Sequence, residues 1–231
     1  MTTFEERQLL RQSVAALVSK HATSEANRRA MDSVTGYDEA LWSMLCEQVG
    51  VAALVVPEEI GGAGGELADA AAVLEELGRA LVPTPLLGTT LAELALLAAD
   101  EPDGETIERL AAGTAIGAVV FDRDYVINGD VADVVLAVDD ARIVRWAEVS
   151  IAAAHTLDPT RRLARVTPGA CTTIGNDPGI ADTASILLAA EQVGAAARCL
   201  ELTVEYTKQR VQFGRPIGSF QALKHRMADM Y

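Results

Sequence analysis

The chain has 231 residues, half of them hydrophobic but only 4% aromatic, and a formal net charge of −14. That length can bury a sizeable core in one or two compact units. So acidic a balance argues against nucleic acid and against anionic membrane surfaces as partners.

Residues 4–20 read as a helix, because Leu9, Leu10, Val14, Leu17 and Val18 recur at helical spacing. Asp38 is placed to cap a second helix, which ends at Gly50, a residue suited to the left-handed position past a helix. A short apolar run over 51–56 enters the turn Pro57-Glu-Glu-Ile-Gly-Gly-Ala-Gly-Gly65. Its glycines invite a phosphate-loop reading, but no Lys-Ser/Thr follows and no strand leads into a helix there. A structural turn is expected. Residues 67–81 are expected to be helical, with Leu67, Ala71, Val73, Leu74, Leu77 and Leu81 buried. Pro83 and Pro85 stop this helix. Two more helices are predicted over 86–99 and 105–112, either side of the polar Asp100-Glu-Pro-Asp-Gly104.

The texture then changes to short β-branched runs over 116–121, 125–127, 131–138, 143–145 and 149–153, with turn signals at Asn128-Gly129 and Asp139-Asp140. Asp177-Pro178-Gly179 closes this region, and a long helix is predicted over 182–210. Its apolar face is expected to be Ile186, Leu187, Ala190, Val193, Ala197, Leu200 and Val204. A last helix starts near Ser219.

Cys46, Cys171 and Cys199 are an odd, scattered set without CxxC spacing, so free thiols are expected and a metal site is not. His21, His155 and His225 lie in different elements, which leaves them surface or capping roles. Glu58, Glu59, Glu75 and Glu76 read as solvated faces and caps. The N-terminus is charged from its fifth residue and has no signal-peptide core. The apolar stretch 81–99 contains Pro83, Pro85 and Glu93, which argues against a membrane span. A soluble, cytoplasmic protein is expected.

The most specific signal is Tyr206-Thr-Lys-Gln-Arg-Val-Gln-Phe-Gly-Arg-Pro-Ile-Gly-Ser-Phe-Gln221, read as a turn between two helices. It gathers a guanidinium (Arg210), an amide (Gln212), an aromatic ring (Phe213) and a flexible Gly214. A planar charged fork beside open backbone N–H groups suits a pyrophosphate, and a ring suits the face of a flat heterocycle. The run resembles the C-terminal-domain motif of the acyl-CoA dehydrogenases, flavoproteins that desaturate acyl-CoA thioesters. Val55-Val-Pro-Glu-Glu-Ile-Gly-Gly-Ala-Gly-Gly65 with Val73-Leu-Glu-Glu-Leu-Gly-Arg-Ala80 is similar to the family's N-terminal domain. Leu157-Asp-Pro-Thr-Arg-Arg162 resembles the end of its β domain.

The resemblance implies a mainly α fold with a small β domain: an N-terminal helical domain over 1–114, a reduced β domain over 115–177, and the first part of a C-terminal helical bundle over 178–231. It implies that Arg210, Gln212 and Phe213 contact FAD across a subunit interface, with Arg210 on the pyrophosphate, and that Phe220 and Gln221 are the next contacting pair. Desaturation needs a carboxylate to take the α-proton while the β-hydride goes to the flavin. The family carries that base either late in the C-terminal domain, past Tyr231, or at a helical position that falls here on Ala184. Asp182 is two residues away, about 200° around a helix, and reads as an N-cap. The family's Thr-Glu-Pro-x-x-Gly-Ser-Asp segment is also missing from the β region.

These departures imply no catalytic residue in this chain. It resembles the degenerate subunit of the heteromeric actinobacterial dehydrogenases that act on steroid side chains. A catalytic dehydrogenase subunit is the implied partner, and acyl-CoA the substrate of the complex. A structural or interaction protein that keeps the fold without flavin is one alternative. The front part of an ordinary homomeric dehydrogenase is the other.

Overall fold

The computed structural model describes residues 3–231. Thr3 opens α1 (Phe4–His21) with a capping box: its hydroxyl accepts from the Glu6 N–H at 3.2 Å, and the Glu6 carboxylate accepts from the Thr3 N–H at 2.8 Å. A short α2 (Ser24–Met31) follows, capped by Thr23. The periodicity did not reveal α2, because only Ala30 is buried and no apolar stripe exists. Asp38 does cap α3 (Glu39–Met44), accepting from the Leu41 N–H at 3.0 Å. That helix widens into a π turn over Leu45–Val49 and ends at Gly50, φ 74°.

Next come α4 (Leu67–Arg79), α5 (Leu86–Leu97) and α6 (Gly104–Ala111). The helix α5 is the centre of the core, buried on nearly every face, with Leu86, Leu91, Leu96 and even Glu93 out of solvent. Seven strands follow: β1 (Gly117–Val120), β2 (Val126–Ile127), β3 (Val134–Asp139), β4 (Arg142–Ala147), β5 (Ser150–Ala154), β6 (Leu163–Thr167) and β7 (Ala170–Asn176). They make one sheet of order β1-β3-β4-β7, in which only β1 and β3 run parallel, and an antiparallel sheet of order β2-β6-β5. Val120, Val126, Val135, Ala164 and Val166 pack between the sheets. The strands β6 and β7 extend the β region beyond the predicted runs.

The 30-residue α7 (Ile180–Gln209) then runs across α4, followed by the two-residue strands β8 (Val211–Gln212) and β9 (Arg215–Pro216) and by α8 (Gln221–Asp229). The fold is therefore mainly α with a small β region between helical parts. Leu81, expected on the buried face of α4, instead lies past its end and is 56% exposed. Three further details differ from the sequence reading. First, α7 is capped by Asp177, whose Oδ1 accepts from the N–H groups of Gly179 at 3.1 Å and Ile180 at 2.9 Å. Asp182 sits exposed in the first turn, favourable to the helix dipole but not the cap.

Second, the buried face of α7 matches the predicted apolar stripe only at Leu187. Leu187 and Gly194 are buried, whereas Ile186 and Val193 are more than half exposed. Close crossing with α4 selects small residues, and so the larger apolar side chains lie outward. Third, Glu75 and Glu76 are not merely solvated. Arg11 of α1 donates to Glu75 at 2.5 Å and to Glu76 at 3.3 Å, while Arg7 reaches Asp69 at 2.8 Å. These pairs fasten α1 along α4, and Arg79 joins α4 to α7 through Glu201 at 2.6 Å.

Candidate functional site

At Arg210 the backbone leaves the helix for an extended conformation, although its N–H still bonds the Tyr206 carbonyl at 2.9 Å. The strands β8 and β9 then pair, Gln212 opposite Arg215, around a two-residue loop. Both loop residues take positive φ, Phe213 at 53° and Gly214 at 75°, as a type I′ hairpin requires. Glycine does so freely, whereas a phenylalanine is disfavoured there by about 1–2 kcal/mol. The outcome is a ring 91% exposed at the hairpin tip.

The hairpin is braced from behind. The Ile217 N–H bonds the Arg210 carbonyl at 2.8 Å, and Gly218 packs so closely that a Cβ there would lie 3.0 Å from the Thr207 carbonyl oxygen. The Phe220 ring meets Phe213 edge-on, centroids 6.1 Å apart, and the Arg215 guanidinium lies over the Phe220 face at 4.2 Å. Thus Arg210, Gln212 and Phe213 are exposed together on one hairpin. The nearby Lys208 is spent on Glu205, but among the described residues Arg210 has no ion-pair partner. Phe220 differs from these three in being half-buried, with the Arg215 guanidinium over its ring. Gln221 begins α8, which no side chain caps, leaving open N–H groups at its positive end. An unpaired guanidinium, a carboxamide and an uncapped helix N-terminus are donors suited to a pyrophosphate.

Neither Ala184, at the helical position for a base, nor the nearby Asp182 is placed to serve as one. Ala184 packs against the core with only its methyl group, and Asp182 faces solvent. The glycine turn offers no anion cradle either. Its N–H groups are used internally: Gly62 bonds the Pro57 carbonyl at 3.0 Å, Gly64 that of Val56 at 2.9 Å, and Gly65 that of Leu54 at 2.8 Å. Cys46, Cys171 and Cys199 are free thiols. Among the described residues no cluster of three or more His, Cys, Asp or Glu could hold a metal ion, and no helix is long and apolar enough to cross a membrane.

The structure adds a cleft of about 320 Å³ that the sequence did not reveal. Leu74, Leu77, Leu87 and Leu188 form apolar walls, and the ion pair of Arg161 with Glu191 contributes charge. That pairing occupies the Glu191 carboxylate, which is therefore not a free base. Asn128, only 7% exposed and at φ 53°, lines the same space, and among the described residues its carboxamide makes no hydrogen bond. An apolar cleft with a few convergent polar groups is the general form of a ligand site. Its walls come from separate segments, among them the α4 stripe at Leu74 and Leu77, the turn at Asn128 and the Leu157–Arg162 run, which only the fold brings together.

Residues 4–114 match the family described as acyl-CoA dehydrogenase, N-terminal domain, and residues 182–231 match acyl-CoA dehydrogenase, C-terminal domain. The acyl-CoA dehydrogenase IpdE2 of Mycobacterium tuberculosis is 67% identical over all of this chain and 73% of its own length. The structure resembles a variant of the Tcur3481–Tcur3483 steroid ACAD, with a TM-score of 0.84 and 28% identity over 97% of this chain and 73% of that one. It also resembles the ChsE4–ChsE5 complex from Mycobacterium tuberculosis, with a TM-score of 0.82 and 26% identity over 99% of this chain and 73% of that one. With both domain matches and a 67% identical relative that aligns with all 231 of its residues, this chain belongs to the acyl-CoA dehydrogenase family.

Proposed function

We propose that the chain is a non-catalytic subunit of a FAD-dependent acyl-CoA dehydrogenase, and that it contributes cofactor contacts and assembly surface while a partner chain carries the base. The observation that carries this reading is one combination: an unpaired Arg210 beside an exposed Phe213, in a chain whose helical base position is Ala184. Arg210 holds the pyrophosphate by charge-assisted hydrogen bonds. Gln212 and the first turn of α8 at Gln221 add donors, and the Phe213 ring packs against the cofactor. Phe220, the next contacting residue, is held against the hairpin by Arg215 and Phe213. When bound, the flavin supplies the hydride acceptor for α,β-desaturation.

The likeness to a steroid enzyme and to a two-component complex supports a heteromer, and supports a steroid-derived thioester as substrate. Such a role places the enzyme in lipid, specifically steroid, catabolism. The chain alone, supplied with FAD and assayed with a dye acceptor on short, long and steroidal acyl-CoA thioesters, is expected to give only background. Turnover above a heat-killed control would contradict the non-catalytic role.

A further inference from the structure

The two larger sheets have four edges, and three of them are protected. The edge at β1 is buried under α5, where the Gly117 N–H bonds the Thr89 hydroxyl at 3.3 Å. The edge at β2 is only two residues long, and its Val126 is buried. The edge at β7 is bent by a register shift opposite Ile143 and Val144, and its Ile174 carbonyl is taken by the Asp100 N–H at 2.8 Å. Covered, short or bulged edges are the usual devices against the addition of a foreign strand.

The fourth edge, β5, has none of these. It pairs with β6 in an unbroken register from Ser150 opposite Thr167 to Ala154 opposite Leu163. Among the described residues its backbone makes no other hydrogen bond. Ser150, Ile151, Ala152 and Ala153 are all exposed, and no charge, proline or glycine interrupts residues 149–154. In an antiparallel strand, part of the N–H and C=O groups face away from the neighbour. Here that row is open to water along the whole strand, a template for one more strand.

We propose that β5 is the docking edge for β5 of a second copy of this chain, the two strands pairing antiparallel about a two-fold axis at Ala152. This register puts Ser150 opposite Ala154 and Ile151 opposite Ala153 of the other copy. The flanking Glu148 falls opposite Thr156, so no like charges meet directly, although each copy carries a net charge of −14. The nearest cation, Arg165 of β6, lies opposite Ala152 and is already paired with Asp124 at 2.5 Å. Pairing of this kind consumes both open edges and leaves only protected ones, so it closes at two copies and does not grow into a fibre. A five-residue edge buries less than the roughly 1,600 Å² of a standard interface, so the contact is weak and is best read by trapping it. It is separate from the Arg210 hairpin and does not depend on flavin.

The test is cross-linking of the full chain by a short bismaleimide through Ala152→Cys, in a background carrying Cys171→Ser and Cys199→Ser. The remaining Cys46 is buried. Because the reagent reads only the surroundings of residue 152, association through other faces does not register. The background is expected to give a covalent dimer. Adding Ser150→Lys with Ala154→Lys sets lysine opposite lysine and is expected to cut the yield by at least about tenfold. Adding Ser150→Glu with Ala154→Lys at the same two positions sets opposite charges together and is expected to keep the yield within about twofold. Thermal melts matching the background show that each variant is folded. A background that gives no dimer, or two double variants that cross-link alike, would overturn the proposal.

Discussion

Gly78 of α4 and Gly194 of α7 stand on the two sides of one helix crossing, and neither has room for a side chain. A Cβ on Gly78 would lie 2.1 Å from the Glu191 carbonyl oxygen, and one on Gly194 would lie 1.9 Å from that of Glu75. Backbone packed on backbone cannot yield as a flexible side chain can. Gly194→Val is therefore expected to destabilise the fold by about 2–3 kcal/mol, the overpacking penalty outweighing any gain in helix propensity. Gly104→Ala, where nothing lies within 4 Å, is the control and should be neutral or slightly stabilising. Urea midpoints of the two variants decide the matter, and equal midpoints would show that the crossing is loose.

That crossing also explains why the helices were readable and their packing was not. The span of α1 and the caps at Asp38 and Gly50 follow from local signals, namely apolar spacing and capping chemistry. Beside the predicted Leu187, the buried side of α7 carries Ala184, Glu191 and Gly194, small and charged residues that hydrophobic periodicity cannot rank above Ile186 and Val193. In β7 only Gly175 is buried, and the strand exists because β4 supplies its hydrogen-bonding partner. Backbone pairing of that kind leaves little mark on side-chain pattern. At the candidate site, the motif named Arg210, Gln212 and Phe213 by residue. The hairpin that groups them, and the covering of Phe220 by Arg215, are tertiary facts.

Glu93 lies fully buried within α5, and neither carboxylate oxygen has a hydrogen-bond partner. Burial pushes this carboxyl well above the ordinary 4.5, and it likewise pushes the nearby Cys46 thiol up to about 12. The folded state therefore holds a proton that the unfolded chain releases above pH 4.5. Fewer protons bound on unfolding means stability falling as pH rises, by about 1.4 kcal/mol per pH unit from this group until the folded carboxyl itself titrates. Glu93→Leu removes the effect. Its stability advantage over wild type should be small near pH 4 and grow as pH rises above 4.5, for as long as the folded carboxyl keeps its proton. An advantage that stays constant with pH, measured by urea denaturation at four pH values, would show that Glu93 is charged in the fold.

The outward face of α7 presents Ile186 and Val193, each more than half exposed, with Ala197, Leu200 and Val204 on the same side of the helix. Together with Met227 and Met230 of the α8 end, part of this face lines an open apolar groove. So large an exposed apolar patch marks an interaction surface. Expressed alone, the chain is expected to self-associate or to lose the end of α7 to protease, and a co-expressed dehydrogenase partner is expected to protect it. Light scattering that reports a lone, protease-resistant monomer would contradict an assembly role.

The central claim is that this chain completes a flavin site it does not operate, and Arg210 is where that claim is most exposed. The most direct measurement is flavin occupancy, from the absorbance of the co-purified complex after gel filtration, for wild type and Arg210→Ala. Removing a charge-assisted pyrophosphate contact should weaken cofactor binding by about 2–4 kcal/mol. The account predicts a yellow wild-type complex and a bleached variant that regains its flavin spectrum in excess FAD. A variant complex with full occupancy would contradict it, and would mean that the hairpin serves assembly without touching the cofactor.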